Sequence, residues 1–199
     1  MVQKLAQKDY DEKILSSINK ELYALDKYMM LEPEISAEEI YENLQEERRK
    51  LIIPIVESRE EFIFNWEKME YVSKAFDAFA PILYTAKGER VRSKSEVIIA
   101  DSLNREGVPY RYECPLYVEG WGTVHPDFTV LNVKERKEIY WEHLGMMDDM
   151  EYAEKSIEKL NIYALNNILP GINLILTYET GKVPLNQKIV QLMIEKYLA

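Results

Sequence analysis

The chain has 199 residues, 47% of them hydrophobic, with 25 basic against 35 acidic side chains and a net charge of −10. One cysteine, Cys114, excludes an internal disulfide framework and a cysteine-rich zinc site, and two histidines, His125 and His143, leave little for a histidine-based metal site. No apolar run is long enough to cross a bilayer, and the start lacks the basic-then-apolar pattern of a secretory leader, so a cytoplasmic protein without a membrane partner is expected.

Phosphate contacts need Lys and Arg, so the acidity argues against a nucleic-acid partner. The distribution weakens that objection. Residues 1–85 carry 11 basic and 18 acidic side chains, whereas 86–199 carry 14 and 17. The excess negative charge sits mainly in the first part.

In chain order, Ile14, Leu15, Ile18, Leu22, Leu25, Tyr28 and Met29 recur at helical spacing and predict a helix over 10–30, broken at Leu31-Glu32-Pro33-Glu34. Ser36 with Glu39 forms a capping box and opens a helix through Leu51, which Pro54 stops. Ser58 with Glu61 repeats the signal before a short aromatic helix around Phe62 and Trp66, whose rings read as packing rather than as a base-stacking surface. Residues 67–87 read as irregular, with Pro81 and Gly88 as punctuation.

From Ser93 the pattern turns mixed. A helix over 94–106 ends at Gly107 and Pro109, and strand-like runs follow at 110–118, 123–130 and 138–144. Gly120-Trp121-Gly122 and Lys134-Glu135-Arg136-Lys137 supply the turns. A helix over 150–166 ends at Leu169-Pro170-Gly171, an apolar strand covers 172–178, and a last helix covers 185–197. The division expected is a helical region, 1–87, and an α/β region, 88–199.

Asp127 lies in the second strand-like run and Glu142 in the third, 15 residues later, so a hairpin brings them to neighbouring strands. Two carboxylates so placed hold a hard divalent cation through oxygen, as phosphate-ester hydrolysis requires. Glu96, at the start of the preceding helix, is either a third oxygen ligand or a first-turn acid that favours the helix dipole. An acid inside the apolar run Tyr140-Trp141-Glu142 is costly without a partner. Arg90, Arg92 and Lys94 gather just ahead of Glu96, where a helix start can hold a phosphate. Tyr152 and Tyr163 read as packing residues, His125 as a strand histidine, and Cys114 as a small buried hydrophobe.

Three motifs in this order carry a resemblance: Ser93-Lys94-Ser95-Glu96, Pro126-Asp127-Phe128 and Tyr140-Trp141-Glu142-His143-Leu144-Gly145. Over about 88–199 the chain resembles the PD-(D/E)XK phosphodiesterase superfamily, which includes restriction endonucleases and nuclease domains attached to some helicases. It is also similar to an uncharacterised bacterial group with a WEHLGM third strand, kept here as Trp141–Met146. The resemblance implies a restriction-endonuclease-like α/β core (helix, three strands, helix, strand, helix) behind a helical N-terminal region. It implies a nuclease dependent on Mg²⁺ or Mn²⁺ acting on nucleic acid, DNA rather than RNA. The expected metal ligands are Asp127, Glu142, Glu96 and the backbone carbonyl of His143.

One departure stands out. The superfamily pattern puts a lysine two residues after the third-strand acid, where this chain has Leu144. As in some members of the superfamily, a lysine from the following helix takes its place: Lys159 first, Lys155 second, each with the alternative of a solvated face paired with Glu151 and Glu158. The substitution also leaves open a nuclease fold without turnover, acting as a nucleic-acid or protein binding module. A protein partner docked through the helical N-terminal region is left open, as is a homodimer, common among relatives by fold.

Overall fold

The computed structural model describes residues 2–31, 35–77 and 80–198. They fall into two compact units, 1–58 and 59–199, so the division lies at Ser58/Arg59 and not at 87/88.

The first unit is helical. Helix α1 spans Val2–Leu31, starting earlier than the apolar pattern requires because Lys, Gln and Ala sustain a helix without a buried face. The residues expected to break it, Glu32, Pro33 and Glu34, lie outside the described residues. Helix α2 (Ala37–Glu42) opens on the predicted capping box: Ser36 Oγ accepts from the Glu39 amide at 3.1 Å, and Glu39 accepts from the Ser36 amide at 2.8 Å. The single helix expected from Ser36 to Leu51 is divided. Asn43 closes α2, Gln45 takes an extended backbone, and α3 (Glu46–Arg49) begins anew.

In the second unit helix α4 (Arg59–Glu67) is fastened to the strands beyond it. Trp66 Nε1 donates to Glu138 at 2.8 Å, and the Arg111 guanidinium lies over the Trp66 ring at 3.9 Å while donating to the Trp66 carbonyl. The Tyr71 hydroxyl donates to the Tyr112 carbonyl at 3.0 Å. These bonds place the stretch after Ser58 with the α/β part. A small hairpin, β1 (Leu83–Tyr84) with β2 (Arg90–Val91), leads into α5 (Lys94–Arg105). Strands of two residues leave no periodicity to read.

The central sheet has four strands in the order β3-β6-β7-β8: β3 (Tyr110–Tyr112), β6 (Phe128–Asn132), β7 (Lys137–Leu144) and β8 (Leu174–Tyr178). The pairs β3–β6 and β6–β7 are antiparallel. Strand β8 runs parallel to β7, which requires the crossover made by helix α6 (Met150–Leu165). Helix α7 (Gln187–Tyr197) closes the order. This is a mixed α/β unit.

Two of the expected strands are each broken in two. Glu113 has φ 46°, in the left-handed region, and its amide donates to the Asp127 carbonyl at 3.0 Å. Pro115 and Pro126 remove ladder donors on either side of the break. Strand β3 therefore stops at Tyr112, and β4 (Leu116–Val118) with β5 (Gly122–Val124) forms a separate hairpin before the chain returns as β6.

Alternation along β7 sets the two layers. Ile139 and Trp141 face a core with Ile99, Ala100 and Leu103 of α5 and Val190 and Ile194 of α7. Tyr140 belongs to the opposite cluster, with Tyr163 and Leu160 of α6 and Val118 and Val124 of the hairpin. Among the described residues no helix is long and apolar enough to cross a membrane.

Candidate functional site

Strand β6 starts at Phe128 opposite Trp141, so in antiparallel register the residue before it, Asp127, stands opposite Glu142. The ladder ends there, and the His143 amide, left without a strand partner, donates to Asp127 Oδ2 at 2.7 Å. The amide and carbonyl of a strand residue project to the same edge, so the His143 carbonyl faces the side on which Asp127 lies.

Glu142 is buried, 3% exposed, and its charge is met from α6. Lys159 Nζ lies 2.6 Å from Glu142 Oε1, and the Tyr163 hydroxyl donates to the same oxygen at 2.7 Å. Lys159 and Tyr163 are one helical turn apart, and the ammonium stands 5.6 Å from the Tyr163 ring centre. Two turns before Lys159 on the helix, Tyr152 accepts from the Gly145 amide at 3.2 Å. Burial, reinforced by the Glu142 charge, pushes the Tyr163 hydroxyl far above its ordinary pKa, so it remains a neutral donor.

Glu96 enters from the start of α5, where Ser93 Oγ caps the helix by accepting the Glu96 amide at 3.1 Å. Its Oε2 accepts from the Tyr112 hydroxyl at 2.7 Å and from the Arg92 amide at 2.8 Å. Burial, followed by the charges of Glu142 and Glu96, pushes the Asp127 carboxyl well above the usual carboxylate range; the His143 amide and Lys159 pull the other way. Three carboxylates and the Lys159 ammonium thus share one field.

Among the described residues, no three acid, histidine or cysteine side chains converge as a ready ligand cage. Glu96 is correspondingly held by Tyr112 and Arg92 rather than gathered with the other two. The donors that do face one another are the Asp127 and Glu142 carboxylates. That set is too small for a structural zinc site. It matches the habit of Mg²⁺, which takes one or two carboxylates and fills its octahedron with water and substrate phosphate oxygens.

The remaining expected residues fall outside this cluster. Lys155 pairs with Glu151 at 2.6 Å on the exposed face of α6, away from Glu142, so of the two lysines only Lys159 reaches the acids. The row expected to cradle a phosphate is also largely committed. Arg92 forms a two-pronged pair with Glu113 (2.6 and 3.0 Å), donates to the carbonyls of Lys74 and Ala75, and stacks on Phe76. Arg90 covers the same ring at 4.3 Å. Lys94 stays exposed.

Sequence reasoning passed over Tyr112 and Tyr163 as site residues. For Tyr163 a signal existed: it follows Lys159 by one turn, so whatever acid the lysine reaches the tyrosine meets also. For Tyr112 there was none, because its bond to Glu96 depends on how α5 docks on the sheet.

Comparison with known proteins adds little. No family model matches the chain, and no solved structure matches it. The chain is similar to the uncharacterized protein MJ1519 of Methanocaldococcus jannaschii, 38% identical over 85 residues. That match covers 42% of this chain and 7% of the archaeal protein, so the chain spans only a small part of that relative's length.

Proposed function

We propose that this chain is a cytoplasmic, divalent-cation-dependent phosphodiesterase that cleaves nucleic acid, DNA in preference to RNA. The observation that carries the reading is the cluster at the end of β6: Asp127 across from Glu142, with Lys159 Nζ 2.6 Å from Glu142 and supplied by α6. It supports the view that an ammonium from the helix replaces the one missing at Leu144. The run α5, β3, β6, β7, α6, β8, α7 around a mixed sheet supports a restriction-endonuclease-like core.

Asp127 and Glu142 would hold the cation, joined by the His143 carbonyl, and Glu96 adds negative charge nearby. When bound, Mg²⁺ supplies Lewis acidity toward a phosphoryl oxygen and lowers the pKa of a water. Hydrolysis would add a water oxygen to phosphorus and break one P–O ester bond, leaving a phosphate monoester and an alcohol. The protein's own part is orientation and charge. Tyr163 fixes one oxygen of Glu142. Lys159 has three N–H donors, so beyond its bond to Glu142 it can orient a water or offset charge that develops on the phosphoryl group.

The test is the purified chain with Mg²⁺ or Mn²⁺ against supercoiled plasmid, single-stranded DNA and RNA. Nicking or degradation that stops on chelation is expected, with DNA cut faster than RNA. No cleavage of any of the three would remove the enzymatic reading. A second reading, a binding module that retains the fold without turnover, draws on Leu144 and on the engagement of Glu142 by both Lys159 and Tyr163. It predicts nucleic-acid binding under the same conditions with no product.

A further inference from the structure

The chemistry above makes no use of a second polar cluster, on the other side of β7 and centred on the partly buried Glu179. Glu179 directly follows β8, and its amide donates to the Leu144 carbonyl at 2.9 Å. Its carboxylate accepts from Ser95 Oγ at 2.8 Å to each oxygen and from the Leu185 amide at 2.9 Å. His143 Nε2 lies 3.2 Å from Glu179 Oε1, while His143 Nδ1 lies 3.0 Å from Thr177 Oγ1. Trp141 Nε1, which can only donate, gives its hydrogen to that same Thr177 oxygen at 3.1 Å. The Thr177 proton is then available to Nδ1, and Nε2 is left against Glu179 in close contact but without a well-aligned hydrogen bond. Burial opposes the charge on Glu179, yet the Leu185 amide, Ser95 and His143 hold its carboxyl below the usual range.

What these partners adjoin gives the group its meaning. Ser95 is the residue before Glu96. His143 is the residue after Glu142, and its amide is the one that holds Asp127. A single carboxylate therefore ties the start of α5, which carries Glu96, to the end of β7, which carries Glu142, across 84 residues of sequence between Ser95 and Glu179.

We propose that Glu179 is a positioning residue: by fastening Ser95 against His143 it holds the Glu96 carboxylate where its negative charge adds to the pull of the Asp127–Glu142 pair on one divalent cation. The proposal rests on the reading of that pair as a cation site. Groups that orient a ligand in this way change metal affinity by about 10–100-fold when removed.

The experiment is Mn²⁺ titration calorimetry on the full chain, without substrate, at a temperature where circular dichroism shows each variant folded. Wild type binds Mn²⁺. Glu179→Ala binds about 10-fold more weakly, with Glu179→Gln between the two because one oxygen still accepts. In a Glu96→Gln background, Glu179→Ala adds no further loss, since it acts through Glu96. That non-additivity separates positioning from a general loosening of the fold, which would add to the Glu96 effect. Wild-type affinity in folded Glu179→Ala, or losses that simply add, would overturn the positioning role while leaving the cation site intact. Absence of Mn²⁺ binding by wild type would overturn the cation site and this proposal together. Should Glu179→Ala fail to fold, Ser95→Ala cuts the same link and must weaken Mn²⁺ binding; wild-type affinity there overturns the proposal equally.

Discussion

Asp127→Asn abolishes cation-dependent cleavage and at the same time makes the metal-free protein more stable. Activity falls by about 10²–10³-fold or more, because the neutral amide gives up the charge that holds the ion and that sets its pull on the phosphoryl group. Stability moves the other way for a reason visible in the site. The Asp127 carboxyl is pushed well above the ordinary range by burial and by the neighbouring Glu142 and Glu96 charges. Ionised, it is a liability to the fold. Asparagine has the same shape, keeps an oxygen to accept the His143 amide, and brings no charge. The gain expected is on the order of 1 kcal/mol, the size typical of relieving strain kept for function.

The pH dependence has a definite sign. Asp127 in the folded protein holds its proton to higher pH than in the unfolded chain, where it titrates at about 3.9. Between those two values the folded state binds more protons, so wild-type stability falls as pH rises through the window and then levels off. Below the unfolded pKa the penalty is absent. Urea unfolding in a chelator should therefore show wild type and Asp127→Asn closest in acid, with the gap widening toward neutral pH. Added Mg²⁺ stabilises wild type alone and narrows that gap. A variant less stable than wild type at neutral pH, or one with the same pH slope, would contradict this account.

Lys159→Met has the opposite effect on stability and the same effect on activity. Glu142 has a side chain only 4% exposed, whereas Lys159, at 30%, retains some solvent contact. Removing the ammonium leaves a buried carboxylate beside Asp127 without the charge that offsets it. The loss expected is about 2–3 kcal/mol, at or below the lower end for a broken buried pair because the lysine is partly hydrated. Cleavage falls by about 10²-fold, the scale of losing one oriented charge at the reacting group. Lys155→Met, which breaks only the exposed pair with Glu151, changes neither. Thermal unfolding and plasmid nicking of the two lysine variants decide the matter. Equal behaviour of both would sink the assignment of Lys159.

Much of the second unit was legible because its elements obey one period at a time. The helix beginning at Lys94, the helix beginning at Met150 and the strand ending at Leu144 all carry apolar spacing bounded by Gly, Pro or capping residues. The acid at Glu142 was legible by contradiction, as a charge inside an apolar run, and its partner Lys159 was within reach of helical arithmetic. What sequence could not show was set by distant contacts. Glu113 takes a left-handed backbone whose amide meets the Asp127 carbonyl, and this split two strands that read as continuous. Arg92, which looked like part of a phosphate-binding row, is turned onto Glu113 and Phe76. Glu179 gains its place only when Ser95 and His143 are brought to it by the fold.

The most direct measurement is a crystal of the full chain soaked in Mn²⁺ and read by anomalous scattering. A single strong peak shared by the Asp127 and Glu142 carboxylates, with the His143 carbonyl beside it and the Lys159 ammonium adjacent, is the expected result. Manganese found only elsewhere on the molecule, or two carboxylates too far apart to share one ion, would contradict it.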